Sequence, residues 1–583
     1  MLADYGCCPY NCHHRQLRSE MPKITGAHLL MKCLKREGIR VIFTLVGDTI
    51  LPLCDAAEDE GIQFIDTRHE GAAMAMADAW ARVTGEPAVA LVTGGPGFSN
   101  AMSVLPNIFT SESPVIFLAG CSELPELGML AFQEIDQVSM AAPVTKGSWM
   151  IQHPSRIPDM IATAFRTALS GRTGPVHLTI PLDIQESELT NDVLPGDTKA
   201  EYRHHGRNPS DPRLVDTALD LLRGAEKPVI IAANAARYQL SQSSIEGLIE
   251  TTGLPLFTIE QARGIVSDDH PLCLGYGDPS LNKAARYFRE ADTVLLIGKR
   301  LDHRYKYGLS PFFNSEAKII QLDPSPYEIG RNRGVSLGIM GHLGAIVDQM
   351  NDKAQLLQWK NAKPWVDSLL EAKKDHMRDL ESNATESEPL HAMSVFKSIK
   401  QCIPDDAILV FDGGDFVQWG RGYLKAHHPG HWLRLGPLAH LGLGLPFAIS
   451  AKLARPKSKV FLFIGDGSIG FHTMEYDTAI RHGLPFTAIL GNDSVWGIDR
   501  NFQLAYYGRP VATDLRTVRY DEVVKAIGGY GEHITQASQI TPAVKRAVDS
   551  NQPSLIDISI ASKQSPLADA MIARRLSSRN KLQ

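Results

Sequence analysis

The chain has 583 residues, enough for three or four domains at about 150 residues each, every one large enough to bury its own core. Hydrophobic residues make up 44% and charged residues 21%, a balance that excludes wholesale disorder and a membrane bundle. Lys and Arg number 59 against 65 Asp and Glu, so the net charge of −6 carries no basic footprint for nucleic acid. A cytoplasmic protein without membrane or nucleic-acid partners is expected. The 8 cysteines make no disulfide framework in so long a chain, no apolar run reaches the roughly 18–20 residues of a bilayer span, and the first residues lack a signal-peptide core.

In chain order, residues 1–20 read as a leader before an alternative start at Met21. Cys7, Cys8, Cys12, His13 and His14 crowd it with metal-binding side chains, but their spacing matches no zinc pattern, and a disordered leader is the expectation. From Thr25, short apolar runs (VIFTLVG, FIDTRHE, VALVTGG, VIFLAG) alternate with segments of helical periodicity, the rhythm of a parallel α/β sheet. This first unit takes residues 21–190. Pro, Gly, Asn and charged residues collect after it, then KPVIIAANAA, TVLLIGK and KIIQLDPSP mark a second unit over 205–350. A charged stretch over 351–390 reads as a helix and linker. AILVFDGG, VFLFIGDG, FTAILGND and SLIDISI define a third unit over 391–565, leaving 566–583 as a tail. The predicted fold is α/β, with three consecutive parallel-sheet domains and no short-period repeat.

The segment VFLFIGDGSIG, 460–470, runs an apolar strand into a glycine-rich turn, where phosphate binding is the natural reading. Gly465, Gly467 and Gly470 fit the dinucleotide pattern G-x-G-x-x-G, and Asp493 ends the next predicted strand, where a ribose-binding acid would sit. An NAD-dependent dehydrogenase is therefore one reading. Asp466 argues against it, because its carboxylate would face a pyrophosphate with no cation between them. A magnesium ion resolves the conflict. Asp466 and Asn492 suit two successive strand ends meeting at the carboxyl edge of one sheet, with a carbonyl from Ser494 as a third ligand.

G-D-G followed at this interval by Asn resembles the signature of thiamine diphosphate-dependent enzymes. Glu70, in FIDTRHEGAAMAMADAWARVTG, stands where that family carries its glutamate, although a carboxylate at a helix start is also commonplace. FQEIDQ from Phe132 and TGGPG from Thr93 to Gly97 resemble the same superfamily, over about Thr25 to Ile560, in the order pyrimidine-binding, central Rossmann-like and diphosphate-binding domain. FTLVG at 43–47, DTRHE at 66–70, DGGDF at 412–416 and GND at 491–493 are most similar to the acetolactate synthase-like and 2-hydroxyacyl-CoA lyase branch.

The resemblance implies bound thiamine diphosphate and Mg2+. It makes Glu70 the partner of the aminopyrimidine ring, favouring its imino tautomer, and Leu441 the apolar wedge beneath the thiazolium. Further cofactor contacts are implied at Pro96, Gly414, Asp415, Phe416, Gly465, Asp466, Gly467, Ser468 and Asn492. Gln133 is a candidate polar contact to substrate or cofactor, and Asp48 lies on a loop that lines the pocket in relatives. His440 stands where relatives carry a small hydroxyl residue, and is either an acid or base on the substrate or a hydrogen-bonded histidine near the pocket. Trp496 either stacks on a ligand or packs in the core, packing being the safer reading. In the central domain, RLDHRYKYG and IIQLDPSPYEIGRNR resemble a region where relatives hold FAD, ADP or nothing. Arg300, Arg304 and Lys306 there either meet phosphates of such a ligand or of CoA, or form a solvated basic cluster. The implied activity makes or breaks a carbon–carbon bond beside a carbonyl, on a small carbonyl or acyl-CoA substrate. A 2-hydroxyacyl-CoA lyase or an acetolactate synthase-like carboligase fits best, with a 2-oxoacid decarboxylase or a benzaldehyde lyase-like enzyme as the alternative. A homodimer or homotetramer with interfacial sites completes the expectation.

Overall fold

In the computed structural model, which describes residues 24–189, 202–203 and 206–580, the apolar runs become strands covered on both faces. The Cys/His leader lies outside the described residues. Strands β1 (Val41–Leu45), β2 (Gln63–Asp66), β3 (Ala88–Val92), β4 (Val115–Cys121), β5 (Ser148–Met150) and β6 (Val176–Pro181) form one parallel sheet, in the order 2-1-3-4-6-5. Every residue of β3, β4 and β6 is buried, as parallel strands with helices on both faces require. The second sheet joins β7 (Pro228–Ala232), β8 (Leu256–Thr258), β9 (Cys273–Tyr276), β10 (Thr293–Ile297), β11 (Lys318–Asp323) and β12 (Leu337–Met340) in the order 12-11-10-7-8-9. The third holds β13 (Ile408–Asp412), β14 (Trp432–Arg434), β15 (Val460–Gly465), β16 (Thr487–Asn492), β17 (Tyr530–Ile534) and β18 (Ser554–Ser559) in the order 14-13-15-16-18-17, repeating the topology of the first.

The first and third domains meet through equivalent helices. The helix Glu70–Thr84 follows β2, and the helix Gly444–Ala454 follows β14. Ala72, Ala73, Ala75, Ala77 and Ala79 are fully buried on the first, and their small side chains let the second approach closely, with Leu445, Phe447 and Ile449 in the same apolar cluster. Polar groups within this seam are paired. Ser450 Oγ donates to the Met76 carbonyl at 2.7 Å, and Arg82 donates to buried Asp78 and, at 2.7 Å, to the Arg434 carbonyl.

The charged stretch read as a helix and linker contains the helix Lys363–Ser382, whose Trp365, Leu369 and Ala372 pack on the central domain, and Trp365 Nε1 donates to the Pro228 carbonyl at 3.0 Å. Its charged side chains lie on the outer face. The expected tail is likewise a helix, Pro566–Asn580. No helix among the described residues is long and apolar enough to cross a membrane.

The first and central domains are held by buried charges. Arg172 pairs with Glu112 at 2.6 Å and with Asp323 at the end of β11, all three nearly inaccessible. Arg172→Met leaves two buried carboxylates short of their counter-ion and should lower the apparent unfolding free energy by about 3–5 kcal/mol. Urea unfolding of wild type and variant measures it; a loss under about 1 kcal/mol would show that the ion pairs are dispensable.

Candidate active site

A cavity of about 660 Å3 opens at the carboxyl edge of the third sheet. β15 ends at Gly465 and delivers Asp466, while β16 delivers Asp493 to the same wall. The two carboxyl groups hydrogen-bond to each other, and burial together with the neighbouring Asp493 charge pushes Asp466 well above the usual carboxylate range. Burial raises Asp493 as well. Two such groups in contact cannot both ionise without a counter-charge, and their oxygens form the donor set that a hard divalent cation takes.

The surrounding turn is shaped around this pair. A Cβ on Gly467 would lie 2.6 Å from the Trp496 ring, so glycine is required where Trp496 lines the cavity. Asp412, at the end of β13, accepts from Gly442 N at 3.3 Å and Gly444 N at 2.7 Å and so fixes the turn that carries Leu441 into the cavity. Burial pushes Asp412 up to about 6, with those N–H groups pulling the other way. Gly414, Asp415, Phe416, Gly465 and Ser468 also line the wall. Asp415 accepts from Ser565 Oγ at 2.6 Å and Asn501 Nδ2 at 2.8 Å, which anchors the start of the helix Pro566–Asn580. That helix adds Leu567, Ala570, Met571 and Arg574 to the cavity.

Asn492 and Ser494 are placed elsewhere. The Asn492 amide donates to the Val518 carbonyl at 3.0 Å and to Asp557 at 3.1 Å, and the Ser494 carbonyl already accepts from Leu515 N at 2.7 Å. Neither lines the cavity, whereas Asp493 and Val495 do. The cause is strand geometry: successive residues of a strand point to opposite faces, so a shift of one residue moves a side chain out of the site.

A second group of the expected residues gathers at the carboxyl edge of the first sheet. Glu70 is 7% exposed, and its Oε2 accepts from Asn100 Nδ2 at 2.9 Å. Thr93 Oγ1 donates to Gln133 Oε1 at 3.3 Å, and Pro96 opens the helix Pro96–Met102 beside them. Asp48 is exposed, one residue from Thr49, whose hydroxyl meets that of Thr93 at 2.9 Å. None of these four expected residues lines the Asp466 cavity of the same chain. His440 is half-buried, outside the cavity wall, and burial lowers its pKa. Its neighbour His472 binds the Gly442 carbonyl at 2.8 Å through Nδ1 and meets the His69 ring edge-on at 5.6 Å.

In the central domain the expected basic residues are largely engaged. Arg300 pairs with Glu112 and Glu328, and Arg304 with Glu260, while Lys306 lines the large cavity. The crevice at the switch point between β7 and β10 has about 220 Å3, below the roughly 300 Å3 at which ligand pockets begin. Asp323 beside it is held by Arg172.

Family models of thiamine pyrophosphate enzymes match in three places: the N-terminal TPP binding domain over 24–140, the central domain over 215–350 and the C-terminal TPP binding domain over 412–558. The chain belongs to the thiamine pyrophosphate enzyme family. A probable acetolactate synthase of Mycobacterium bovis is 32% identical over 536 residues, covering 91% of this chain and 95% of the relative. A probable acetolactate synthase large subunit of Methanocaldococcus jannaschii is 30% identical over 546 residues, covering 92% of each. The 2-hydroxyacyl-CoA lyase 2 of Mus musculus is 30% identical over 543 residues, covering 87% of this chain and 84% of the relative. The enzyme is thus a TPP-dependent lyase or carboligase, and the dehydrogenase reading falls: Asp493 faces Asp466 instead of a ribose, and the helix after Gly465 is only the four residues Asp466–Ile469.

The donor set predicts a clean separation between adjacent residues. Asp466→Ala and Asp493→Ala should each lose most bound thiamine diphosphate on gel filtration at limiting magnesium, while Asn492→Ala retains it as wild type does. Cofactor loss from Asn492→Ala with full retention in Asp493→Ala would put the cation on the other face of the strand.

Proposed function

We propose that this enzyme makes or cleaves a carbon–carbon bond next to a carbonyl, after the manner of the 2-hydroxyacyl-CoA lyases and acetolactate synthases it resembles. The observation that carries the reading is the Asp466–Asp493 pair, buried at the wall of a cavity large enough for cofactor and substrate together. When bound, thiamine diphosphate supplies a nucleophilic carbon and an electron sink. Asp466 and Asp493, with the backbone of Val495, would hold magnesium and through it the diphosphate. Leu441 lines the cavity where it would support the cofactor, and Trp496 closes the side of the turn. Glu70 would exchange a proton with the aminopyrimidine through its carboxyl, one oxygen of which is fixed by Asn100.

The site is shared between two chains in this reading. Glu70 and Asp466 serve one cofactor, yet within a chain they lie at different sheet edges. Apolar side chains stand exposed beside each half: Met129 at 75%, Leu130 at 96% and Phe132 at 70% next to Gln133, and Phe471 at 55% near Asp466. A homodimer, or a dimer of dimers, covers both surfaces and completes both sites. The five described cysteines are free, in keeping with a cytoplasmic enzyme.

Glu70→Gln should keep cofactor and lose turnover by about a hundredfold or more, since the amide preserves size but not the proton. Wild-type rates in the isolated variant would remove Glu70 from the chemistry. Mixing Glu70→Gln with Asp466→Ala chains should restore part of the activity, because one site of each mixed dimer combines two intact halves. Verified mixed dimers without recovery would exclude the shared site.

A further inference from the structure

The cavity extends well beyond the cation end, and its far wall carries charge that the chain itself does not balance. On the helix Asp415–Tyr423, Asp415, Gln418 and Arg421 recur every third residue and all line the cavity. The Asp415 end adjoins the cation pair: a Cβ on Gly497 would sit 3.2 Å from Asp493 Oδ2 and 3.7 Å from Asp415 Oδ2. Six residues of helix then place Arg421 about 9 Å further along.

Arg421 is 4% exposed, and the partners of its guanidinium are neutral. It donates to Gln418 Oε1 and to the Tyr276 hydroxyl and lies 5.0 Å from the centre of the Tyr276 ring, while its buried Nε has no partner. The neighbouring cations do not leave it an acid. Arg304 and Arg434 converge on one carboxylate, Glu260, at 2.9 and 2.8 Å. Burial, and then the charge of Arg304, push Arg434 down to about 10, the mark of crowded positive charge. Asp278 and Asp302 act with Glu260 on Arg304, and among the described residues no carboxylate forms an ion pair with Arg421, whose guanidinium meets only Gln418 and Tyr276. A guanidinium taken out of water without an anion is costly, and its planar fork matches a carboxylate or phosphate.

We propose that Arg421 binds an oxyanion at the far end of the substrate, either a carboxylate on the acyl chain or a phosphate of its carrier. This rests on the catalytic reading above and narrows it: the preferred substrate spans roughly a nanometre from the cation site and ends in negative charge.

The test compares wild type, Arg421→Gln and Arg421→Lys as holoenzymes loaded with thiamine diphosphate and magnesium, after circular dichroism has shown that all are folded. Two substrate pairs are used: 2-oxohexanedioate against 2-oxohexanoate, and 2-hydroxybutanoyl-CoA against 2-hydroxybutanoyl-pantetheine. In one pair the kcat/KM preference for the anionic member should fall at least about tenfold in Arg421→Gln and much less in Arg421→Lys, and the responding pair identifies the source of the oxyanion. Unchanged preferences in both pairs, or equal losses for both members of each, overturn the proposal. Calorimetric titration with hexanedioate and with coenzyme A decides it independently of turnover. Binding of either, weakened about tenfold in Arg421→Gln, supports the subsite, and binding of neither to wild type overturns it. Binding without turnover would count against the catalytic reading and leave the subsite standing.

Discussion

Two carboxyl groups buried against each other, Asp466 and Asp493, set the terms for the third domain. Their mutual repulsion is tolerable only with a proton or a cation between them, and the surroundings are arranged for a site that holds charge in a dry wall. Trp496 presses on Gly467 and Asp412 pins the Leu441 turn from beneath. Asp415, one wall over, is satisfied by Ser565 and Asn501 and has no need of the cation. Three acids within one small region thus divide into a pair in direct contact with each other and one held apart by Ser565 and Asn501.

Much of the fold was legible because parallel strands buried on both faces leave continuous apolar runs, and VALVTGG, VIFLAG and VFLFIGDG need no partner to be recognised. The glycine turn and Asp466 were legible for the same reason, since they interrupt such a run. The side of the strand end was not. Asn492 and Asp493 are neighbours, either could supply an oxygen, and only the pleat decides which one faces the cavity. Arg421 was hidden by a different ambiguity. A cation on a short amphipathic helix looks like a solvated residue until the tertiary structure buries it beside Tyr276.

The repeated topology of the first and third sheets gives the chain two similar edges with different equipment. One carries Glu70, Asn100 and Gln133, and the other carries the acid pair, Leu441 and Trp496. On the shared-site proposal neither set is complete by itself, and large apolar side chains stand exposed beside each. The central domain, tied to the first through Arg172 and to the third through Arg304, Glu260 and Arg434, contributes the far wall of the cavity and so bears on what is bound more than on how it reacts.

The alanine seam between the helices Glu70–Thr84 and Gly444–Ala454 has a mechanical consequence. With side chains this small, each backbone lies in the groove of the other, and any sliding would collide with Leu445 or Phe447 and break the Ser450 and Arg82 hydrogen bonds. The seam therefore resists relative motion of the two catalytic domains within a chain, in contrast to the single helix Pro566–Asn580, which is moored to the cavity wall where Ser565 meets Asp415.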